Sequence, residues 1–205
     1  MKKIRIILLA AALLSGTASF AQQNWSAGAG YSMTSFNGVD CSTFLAKHPL
    51  RGFYVGASHE FYFSALAGLT FEPGLYFHYQ SGRNDADAKP KYIKMHYLSI
   101  PMDLKYSFNF ATGFMGSFFT GPAFNVGLIG NLYDKGAFSG QGGLTKDATD
   151  MRPLTRVNLQ GRVGAALTFA EAVQLRFSYA FGISRLIPEQ EIHNNALTVG
   201  LGLLF

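Results

Sequence analysis

Histidine is the residue type in this chain best suited to acid–base catalysis or to metal binding. Five are present, at His48, His59, His78, His96 and His193. A nucleophilic enzyme needs a serine held against a histidine that a carboxylate orients, and a zinc site needs several ligands close together. The five are scattered, and only His78 and His96 flank one predicted loop, where exposed loop histidines are the simpler interpretation. The sequence therefore predicts no catalytic residue and no metal site.

Two other features could carry chemistry. Cys41 is the single cysteine and cannot form an internal disulfide, so it is interpreted as an incidental loop thiol, with a bridge to another molecule as the alternative. Gly140, Gly142 and Gly143 lie in a polar loop, where they indicate flexibility and not a nucleotide-binding motif. The sequence predicts no cofactor.

The last nine residues, Leu197–Phe205, give the clearest structural pattern. Apolar side chains occupy every second position, and the residues between them are mostly small or polar. This period of two predicts a β-strand with one apolar face. The chain then stops on Phe205, which resembles the carboxy-terminal signal by which bacterial outer-membrane barrels are recognised for insertion.

The amino terminus predicts a secretory signal peptide over residues 1–21. Three basic residues come first: Lys2, Lys3 and Arg5. The apolar core Ile6–Leu14 follows and is too short to span a bilayer, so a retained membrane anchor is the weaker alternative. Ser19 and Ala21 are suited to the −3 and −1 positions of a cleavage site, and no cysteine follows that would mark a lipoprotein. The mature domain is predicted over residues 22–205.

Charge and length narrow the class of protein further. The chain has 17 basic and 12 acidic residues, but removal of the signal peptide leaves only 14 basic ones. With no basic run interleaved with aromatics, a nucleic-acid partner is not predicted. The mature length suits one domain, and no apolar run of 18 residues or more follows the signal, which excludes helical membrane spans.

Alternation of the same kind recurs along the mature chain and predicts eight strands. Their approximate bounds are Trp25–Met33, Gly52–Phe63, Ala65–Tyr79, Tyr92–Phe108, Phe114–Leu128, Arg156–Phe169, Val173–Ser184 and Leu197–Phe205. His59 breaks the apolar face of the second strand, and Gly121-Pro122 is expected to interrupt the fifth. The fold class is therefore predicted as all-β, an eight-stranded antiparallel up-and-down transmembrane β-barrel preceded by a cleaved signal peptide.

The predicted connections alternate in length. Three are short and lie around Ser64, Asn109–Gly113 and Ala170-Glu171. Four are long and polar: Thr34–Arg51, Gln80–Lys91, Ile129–Thr155 and Arg185–Asn194. Outer-membrane barrels have short periplasmic turns and long external loops, and an even number of strands returns both termini to the periplasm. That orientation is the one predicted here.

A soluble barrel of the lipocalin kind would turn its apolar face inward. Eight strands enclose only enough space for side chains to fill, so the bulky Phe, Tyr, Leu and Ile residues would overfill such an interior. Turning them toward lipid, with the Gly-, Ala- and Ser-rich faces inward, removes this conflict, and closure satisfies the backbone within the hydrocarbon. Aromatic residues near strand ends are then candidates for interfacial girdles: Trp25, Tyr31, Tyr79, Tyr106 and Phe169.

Six charged residues fall on the predicted lumen face. They are Glu60, Glu72, Asp103, Lys105, Arg162 and Arg176. Buried charges are costly unless they are paired and hydrogen-bonded, so the three carboxylates and three cations predict an internal ion-pair network. A proton or solute pathway is the alternative role for these residues.

Several segments resemble the outer-membrane β-barrel family typical of Bacteroidota, which includes the PorT-like proteins. The matching segments are Phe71–Tyr76, Tyr97–Pro101, Leu104–Tyr106, Gly121-Pro122, the Gly-rich sixth strand and Leu203–Phe205. The resemblance covers nearly the whole mature chain and implies an outer-membrane location in a Gram-negative bacterium. It supplies no catalytic residues, and some members of the family take part in type IX secretion.

Four functions are compatible with these patterns. The first is a non-enzymatic integral barrel that serves envelope structure or binds an envelope protein through its external loops, the segment Ile129–Thr155 above all. The second is passive transport of a small hydrophobic solute, the third an accessory role in secretion, and the most distant a lipid-modifying enzyme. The expected partners are outer-membrane lipids and, during insertion, the barrel-assembly machinery.

Overall fold

A computed structural model of the chain describes most of the mature domain. The described residues are 24–37, 49–64, 66–84, 91–134, 149–150, 157–185 and 193–205. The predicted signal peptide, Cys41, His48 and the loop glycines Gly140, Gly142 and Gly143 lie outside them. No described residue belongs to a helix long and apolar enough to cross a membrane.

Ten strands lie within the described residues. They are β1 (Trp25–Asn37), β2 (Leu50–His59), β3 (Phe61–Tyr62), β4 (Leu69–Asn84), β5 (Lys91–Ala111), β6 (Phe114–Asp134), β7 (Thr149–Asp150), β8 (Val157–Phe169), β9 (Val173–Gly182) and β10 (His193–Leu204). All pairings are antiparallel, and the order β1–β2–β4–β5–β6–β8–β9–β10 returns to β1. Since β3 continues the line of β2 and β7 pairs only with β6, the wall has eight strands, and the predicted fold is confirmed.

Closure extends to the last residue. The amide of Trp25 donates to the carbonyl of Phe205 at 3.0 Å, and the amide of Phe205 donates back at 2.9 Å. The end of the barrel with these residues and the short turns is called the short-turn end below, and the opposite end is called the long-loop end.

The three short connections are confirmed. The three-residue connection between β8 and β9 contains a turn whose central residues, Ala170 and Glu171, have φ 49° and 58°, the positive values that a type I′ turn requires. Gly113 at φ 77° turns the chain between β5 and β6. The third strand was predicted from Ala65, but β4 begins at Leu69 because the preceding residues form the turn that ends at Gly68.

Proline explains two further differences from the predicted strands. The predicted second strand is divided at Glu60. The ladder to β4 is interrupted there, between the pairs Ser58–Gly74 and Phe61–Phe71, because Pro73, opposite His59, has no N–H to donate. Gly121-Pro122 does not end β6 as expected, since the strand runs unbroken and Pro122 lies opposite Gly161 on β8, but the ladder between β6 and β5 is interrupted at these two residues. The neighbouring β5 backbone comes so close that a Cβ at Gly121 would lie 2.0 Å from the Met102 carbonyl oxygen.

At the long-loop end the strands reach further than predicted. β1 continues to Asn37, β4 to Asn84 and β6 to Asp134, so part of each predicted loop is wall. The predicted loop Ile129–Thr155 thus begins within β6, and β7 pairs with that extension. The wall is therefore taller at the long-loop end than the alternation of side chains predicts.

The outer and inner faces have opposite character, as predicted. On β9, Phe177 and Tyr179 are exposed, whereas Gln174, Arg176 and Ser178 are buried. The other strands repeat this pattern, with most large apolar side chains outside and polar side chains inside, although Tyr54, Tyr76 and Phe119 point inward. All five predicted girdle residues point outward. Trp25, Tyr31, Tyr106 and Phe169 are exposed, and Tyr79 is partly covered. Such an exterior is stable against hydrocarbon, and the barrel lumen is the polar core of the molecule.

Candidate functional site

Six charged side chains meet inside the barrel in one continuous series of ion pairs, called the charge chain below. In contact order its members are Glu60, Lys105, Glu72, Arg176, Asp103 and Arg162. The structure thus brings together all six residues named from the sequence. Lys105 Nζ lies 2.5 Å from Glu60 Oε1 and 3.5 Å from Glu72 Oε2, so it bridges two carboxylates.

The two arginines complete the charge chain. Arg176 contacts Glu72 Oε1 through one guanidinium nitrogen, and its other terminal nitrogen lies 3.1 Å from Asp103 Oδ2. Arg162 lies 3.1 Å from the same oxygen, and its Nε donates to Ser178 Oγ at 3.1 Å. The signs alternate throughout, so three carboxylates and three cations balance one another.

Strand register explains why these side chains meet. Glu72 on β4 lies directly opposite Asp103 on β5, and Lys105 is two residues further along the same face. Arg176 reaches them from β9, although it is 104 residues from Glu72 in the sequence. An eight-stranded barrel is narrow enough for side chains from facing walls to touch.

Hydroxyl groups support the carboxylate at the centre of the charge chain. Ser58 Oγ donates to Glu72 Oε1 at 2.6 Å, and the Tyr76 hydroxyl donates to Ser58 Oγ at 3.1 Å. Ser26 Oγ lies 2.6 Å from Ser58 Oγ. Glu72 is therefore held by two cations and a hydroxyl relay that fixes its position in the lumen.

Phe119 is a member of the site that sequence reasoning missed. Its ring lies under both arginines, with the Arg176 guanidinium carbon 4.2 Å and the Arg162 carbon 5.1 Å from the centroid. A guanidinium over an aromatic face is a favourable cation–π contact. The face of Phe119 was not assigned because β6 was expected to break; an unbroken strand puts it in phase with Ser117 and Ala123, which are buried.

The charge chain is shielded from solvent. Asp103 and Lys105 have no exposed surface, and Glu72 has 1%. Three polar atoms of the charge chain are buried without a hydrogen-bond partner: Glu72 Oε2, Asp103 Oδ1 and Arg176 Nε. Because few alternative partners exist, loss of one member would leave an opposite charge uncompensated.

The part of the interior nearer the long-loop end, called the upper lumen, has a different composition. His78 is stacked between Tyr54 and Tyr97, with centroid distances of 5.4 and 4.6 Å, and its Nδ1 lies 3.4 Å from Ser32 Oγ. The interpretation of His78 as an exposed loop residue is wrong, because β4 carries it inward in phase with Glu72. His96 lies on β5 and packs against Tyr79 on the outer face, so the two histidines do not meet.

Amide side chains fill the rest of the upper lumen. Gln80 Nε2 donates to Ser32 Oγ at 2.8 Å. Asn125 Nδ2 donates to Gln160 Oε1 at 2.7 Å, and Gln160 Nε2 donates to the Asn194 carbonyl at 2.9 Å. These contacts cross between strands and link walls with neutral hydrogen bonds.

Glycines on the inner face make room for the tyrosine rings. A Cβ at Gly200 would lie 2.2 Å from the Tyr54 hydroxyl oxygen, and one at Gly74 would lie 2.6 Å from Tyr76 Cε2. Real Cβ atoms do not approach other atoms this closely, so a larger residue would displace a ring. The glycine-rich faces predicted from the sequence thus leave the space that the tyrosine rings of the lumen occupy.

The packed lumen leaves little free space. One cavity of about 40 Å³ lies between the charge chain and the upper lumen, beside Tyr54, His78, Gln160 and Arg176. This volume holds two or three water molecules at most. A wider recess of about 830 Å³ opens at the short-turn end, and Glu60 lies at its inner side.

Other chemistry has little support in the described part of the chain. No group of three or more His, Cys, Asp or Glu side chains there is arranged to hold a metal ion.

Phe205 closes the ladder with Trp25 and is half-buried. The structure therefore places the named ionisable residues in the lumen and the terminal aromatic in the wall.

Sequence comparison agrees with this architecture. Residues 20–188 match the family described as "Outer membrane protein beta-barrel domain", which covers most of the chain. No curated protein matches the sequence.

Solved structures with similar folds are distant in sequence. The outer membrane enzyme PagL is 14% identical, with a TM-score of 0.51 over 86% of this chain and 97% of that one, which indicates a shared fold alone. Ail of Yersinia pestis is 13% identical, with a TM-score of 0.48 over 90% and 100% of the two chains. Neisserial surface protein A is 11% identical, with a TM-score of 0.47 over 88% and 97%.

The family match covers seven of the eight wall strands, from β1 to β9, and the wall has an apolar exterior with a polar, charge-paired interior. The chain therefore belongs to the outer membrane protein beta-barrel domain family, as an integral barrel of the outer membrane of Gram-negative bacteria.

Proposed function

We propose that this barrel is a non-enzymatic scaffold whose long connections serve envelope structure or bind an envelope protein. The observation that carries the proposal is the filled lumen. The charge chain and the upper lumen reach across it from wall to wall, and the cavity between them has a volume of about 40 Å³. A barrel of this size without a continuous channel has its exposed ends available for interaction.

The proposed orientation has the long-loop end outside the cell and both termini in the periplasm. The contrast between tight turns at one end and long connections at the other supports it. In the same proposal residues 1–21 are a cleaved signal peptide, and Phe205 is the signal that the barrel-assembly machinery recognises. Pairing of Phe205 with Trp25 supports that role, because the terminal strand completes the wall.

The segment 135–148 is the proposed contact with an envelope partner. It follows the part of β6 that extends past the predicted loop boundary, and it is Gly-rich and mixed in charge. Replacing 135–148 with a Gly-Ser linker is expected to abolish crosslinking of a partner in intact cells, while the same replacement of 186–192 leaves it unchanged. Equal partner capture by both variants would contradict this surface.

Conductance separates the scaffold from passive transport. The purified barrel in a planar bilayer is expected to give no steady current, because the charge chain bridges the lumen. Steady ion conductance by wild-type protein would contradict the sealed lumen and favour transport. A small hydrophobic solute would need a wider path than the 40 Å³ cavity provides.

Membership in a Bacteroidota, PorT-like group and an accessory role in type IX secretion form a second candidate. The sequence segments shared with that group are what favour it. Deletion of the gene in its own organism, followed by quantification of secreted proteins, tests this role. An unchanged secretome would remove it.

Catalysis is the least supported function. PagL is described as an enzyme, so the barrel fold alone does not decide the question. In the described residues, Ser32 and His78 are in contact inside the lumen, but His78 is stacked between Tyr54 and Tyr97 and its hydrogen bond there is to Ser32, with no carboxylate to orient the imidazole. Mass spectrometry of membrane lipids with and without overproduction of the barrel should show no new lipid product.

A further inference from the structure

The cavity between the charge chain and the upper lumen has a cationic lining. Its volume is about 40 Å³, and the charged side chains beside it are those of Arg162 and Arg176. Among the residues that the structure describes, no carboxylate lines it. Neutral polar residues surround the two arginines there, including Tyr54, Ser99 and Asn125. The charges of the lumen balance as a whole, but the cavity itself is bordered by positive charge alone.

The two arginines are held side by side. Arg162 and Arg176 each lie 3.1 Å from the same oxygen, Asp103 Oδ2. Both guanidinium groups also lie over the ring of Phe119. Like charges at this separation repel one another, and within the described chain Asp103 is the one carboxylate in contact with both. A second negative charge, placed on the cavity side, would reduce the repulsion between them.

Arg176 has a donor to spare at this cavity. Its two terminal nitrogens contact Glu72 and Asp103, whereas its Nε is buried without a hydrogen-bond partner. The side chain is 10% exposed, so bulk water does not satisfy that donor. An unsatisfied charged donor in such a place is costly, and a negatively charged acceptor in the cavity would remove the cost.

The order of signs along the charge chain favours the same position. The series begins with the carboxylate of Glu60, beside the recess at the short-turn end, and it ends with the guanidinium of Arg162, beside the cavity. One more anion next to Arg162 would continue the alternation of signs. The cavity has room for one small ion and one water molecule, and that water could donate to Asn125 Oδ1, a buried acceptor without a partner.

We infer that this cavity is a binding site for one small monovalent anion of the size of chloride, held between the guanidinium groups of Arg162 and Arg176. Charge-assisted hydrogen bonds from guanidinium groups are strong, and the low dielectric of a packed lumen strengthens them. Sulfate and phosphate are too large for the space. The bound anion would hold both arginines in the geometry that also binds Asp103, and it would connect the charge chain to the upper lumen.

The dependence of stability on chloride tests the site in solution. Urea unfolding of the full-length barrel in lipid vesicles is followed by tryptophan fluorescence, while chloride replaces gluconate at constant ionic strength. Gluconate is also monovalent but is too large to enter the cavity. Wild type is expected to gain at least about tenfold in its folding equilibrium constant over a roughly hundredfold rise in chloride, because a ligand that binds only the folded state stabilises it.

Asn125→Asp should remove this dependence. The substitution puts a carboxylate in the lining of the cavity, where it takes the place of the free anion, and the expected gain with chloride falls below about twofold. Asn158→Asp is the matched control, because Asn158 is buried directly opposite Asn125 on β8 but does not line the cavity. It should keep the chloride dependence of wild type. A heat-modifiable gel shift identifies folded barrel in each sample. An equal response to chloride in all three proteins, or no response in wild type, would overturn the site.

Bromide locates the anion in the wild-type protein and needs no variant. Crystals grown in sodium bromide are expected to show one anomalous peak inside the lumen, within hydrogen-bonding distance of Arg162 and Arg176. A cavity that contains only water in those crystals would overturn the inference. A bromide peak without any chloride dependence of unfolding would show binding at crystal concentration only, and would overturn it as well.

Discussion

The charge chain and the upper lumen fill the same barrel by different means. Nearer the short turns, Glu72 and Asp103 are held by direct contact with buried cations. Nearer the long connections, His78 is held between two tyrosine rings, and amides such as Gln80 make neutral hydrogen bonds. The packing of the charge chain depends on the neutralisation of opposite charges, and the packing of the upper lumen depends on how its rings and amides fit together.

This difference predicts different tolerance to substitution. Removing one member of an alternating series of buried charges leaves its neighbours unpaired, which costs far more than removing a neutral hydrogen bond. In the upper lumen, stacked rings retain their contacts when a single polar atom is lost. Substitutions in the charge chain should therefore lower the free energy of unfolding most. Substitutions in the upper lumen should lower it little, provided that no added atom displaces a tyrosine ring.

The largest effect is expected for Arg176→Met. Arg176 contacts Glu72 and Asp103 and lies over Phe119, so its removal leaves two buried carboxylates with fewer partners. The free energy of unfolding should fall by about 3–5 kcal/mol. Urea titration of the barrel folded into lipid vesicles, followed by tryptophan fluorescence, measures this loss.

Arg51→Met is the matched control for that measurement. It removes the same side chain from an exposed position on the outer face, and it should change unfolding by less than about 1 kcal/mol. Equal losses in the two variants would mean that the charge chain is no more important than surface charge.

A double-mutant cycle on Lys105 and Glu60 measures how strongly one ion pair of the charge chain contributes to stability. Their contact of 2.5 Å is at the short-turn end of the charge chain. Lys105→Met should destabilise the wild type more than it destabilises the Glu60→Gln variant, with a coupling free energy of about 1–3 kcal/mol in the same urea assay. A coupling near zero would show that the pair is not energetically linked.

Gly200→Ala tests whether the upper lumen depends on shape. The added Cβ would lie 2.2 Å from the Tyr54 hydroxyl and 2.5 Å from the Ala29 carbonyl, so we expect a loss of about 1–3 kcal/mol. Gly202→Ala is the control on the same strand, since its nearest atom would be 3.6 Å away. That variant should be neutral or slightly stabilised, because alanine restricts the unfolded chain. Similar effects of the two alanines would contradict a packed upper lumen.

The smallest effect is expected for His78→Phe. The ring keeps its place between Tyr54 and Tyr97, and only the 3.4 Å contact with Ser32 is lost. Unfolding should change by less than about 1 kcal/mol. A loss as large as that of Arg176→Met would mean that the imidazole itself holds the upper lumen together.

Alternation of side chains was sufficient to predict the barrel, its faces and the membership of the charge chain. Each of the six charges is in phase with small or polar neighbours on its strand, and a narrow barrel forces inward charges to meet. The pattern did not reveal which carboxylate faces which cation, because pairings such as Arg176 with Glu72 depend on register around the whole barrel.

Backbone features limited the rest of the prediction. The predicted second strand is divided because Pro73, on the neighbouring strand β4, has no N–H to donate. The cause therefore lies outside the segment whose pattern was analysed. Pro122 was treated as an interruption although it sits within a continuous strand, and the face of Phe119 was lost with it. His78 is in the inward phase of the predicted third strand, but its position beside the predicted loop Gln80–Lys91 favoured an exposed side chain, whereas β4 continues to Asn84.

Photocrosslinking from lipid acyl chains tests the central assignment of faces most directly. The unmodified barrel is reconstituted with a lipid carrying a diazirine in its acyl chain, and adducts are mapped by mass spectrometry along β9. Adducts are predicted on the exposed residues Phe177 and Tyr179 and not on the buried residues Arg176 and Ser178. Adducts on Arg176 and Ser178 in place of their neighbours would contradict the account.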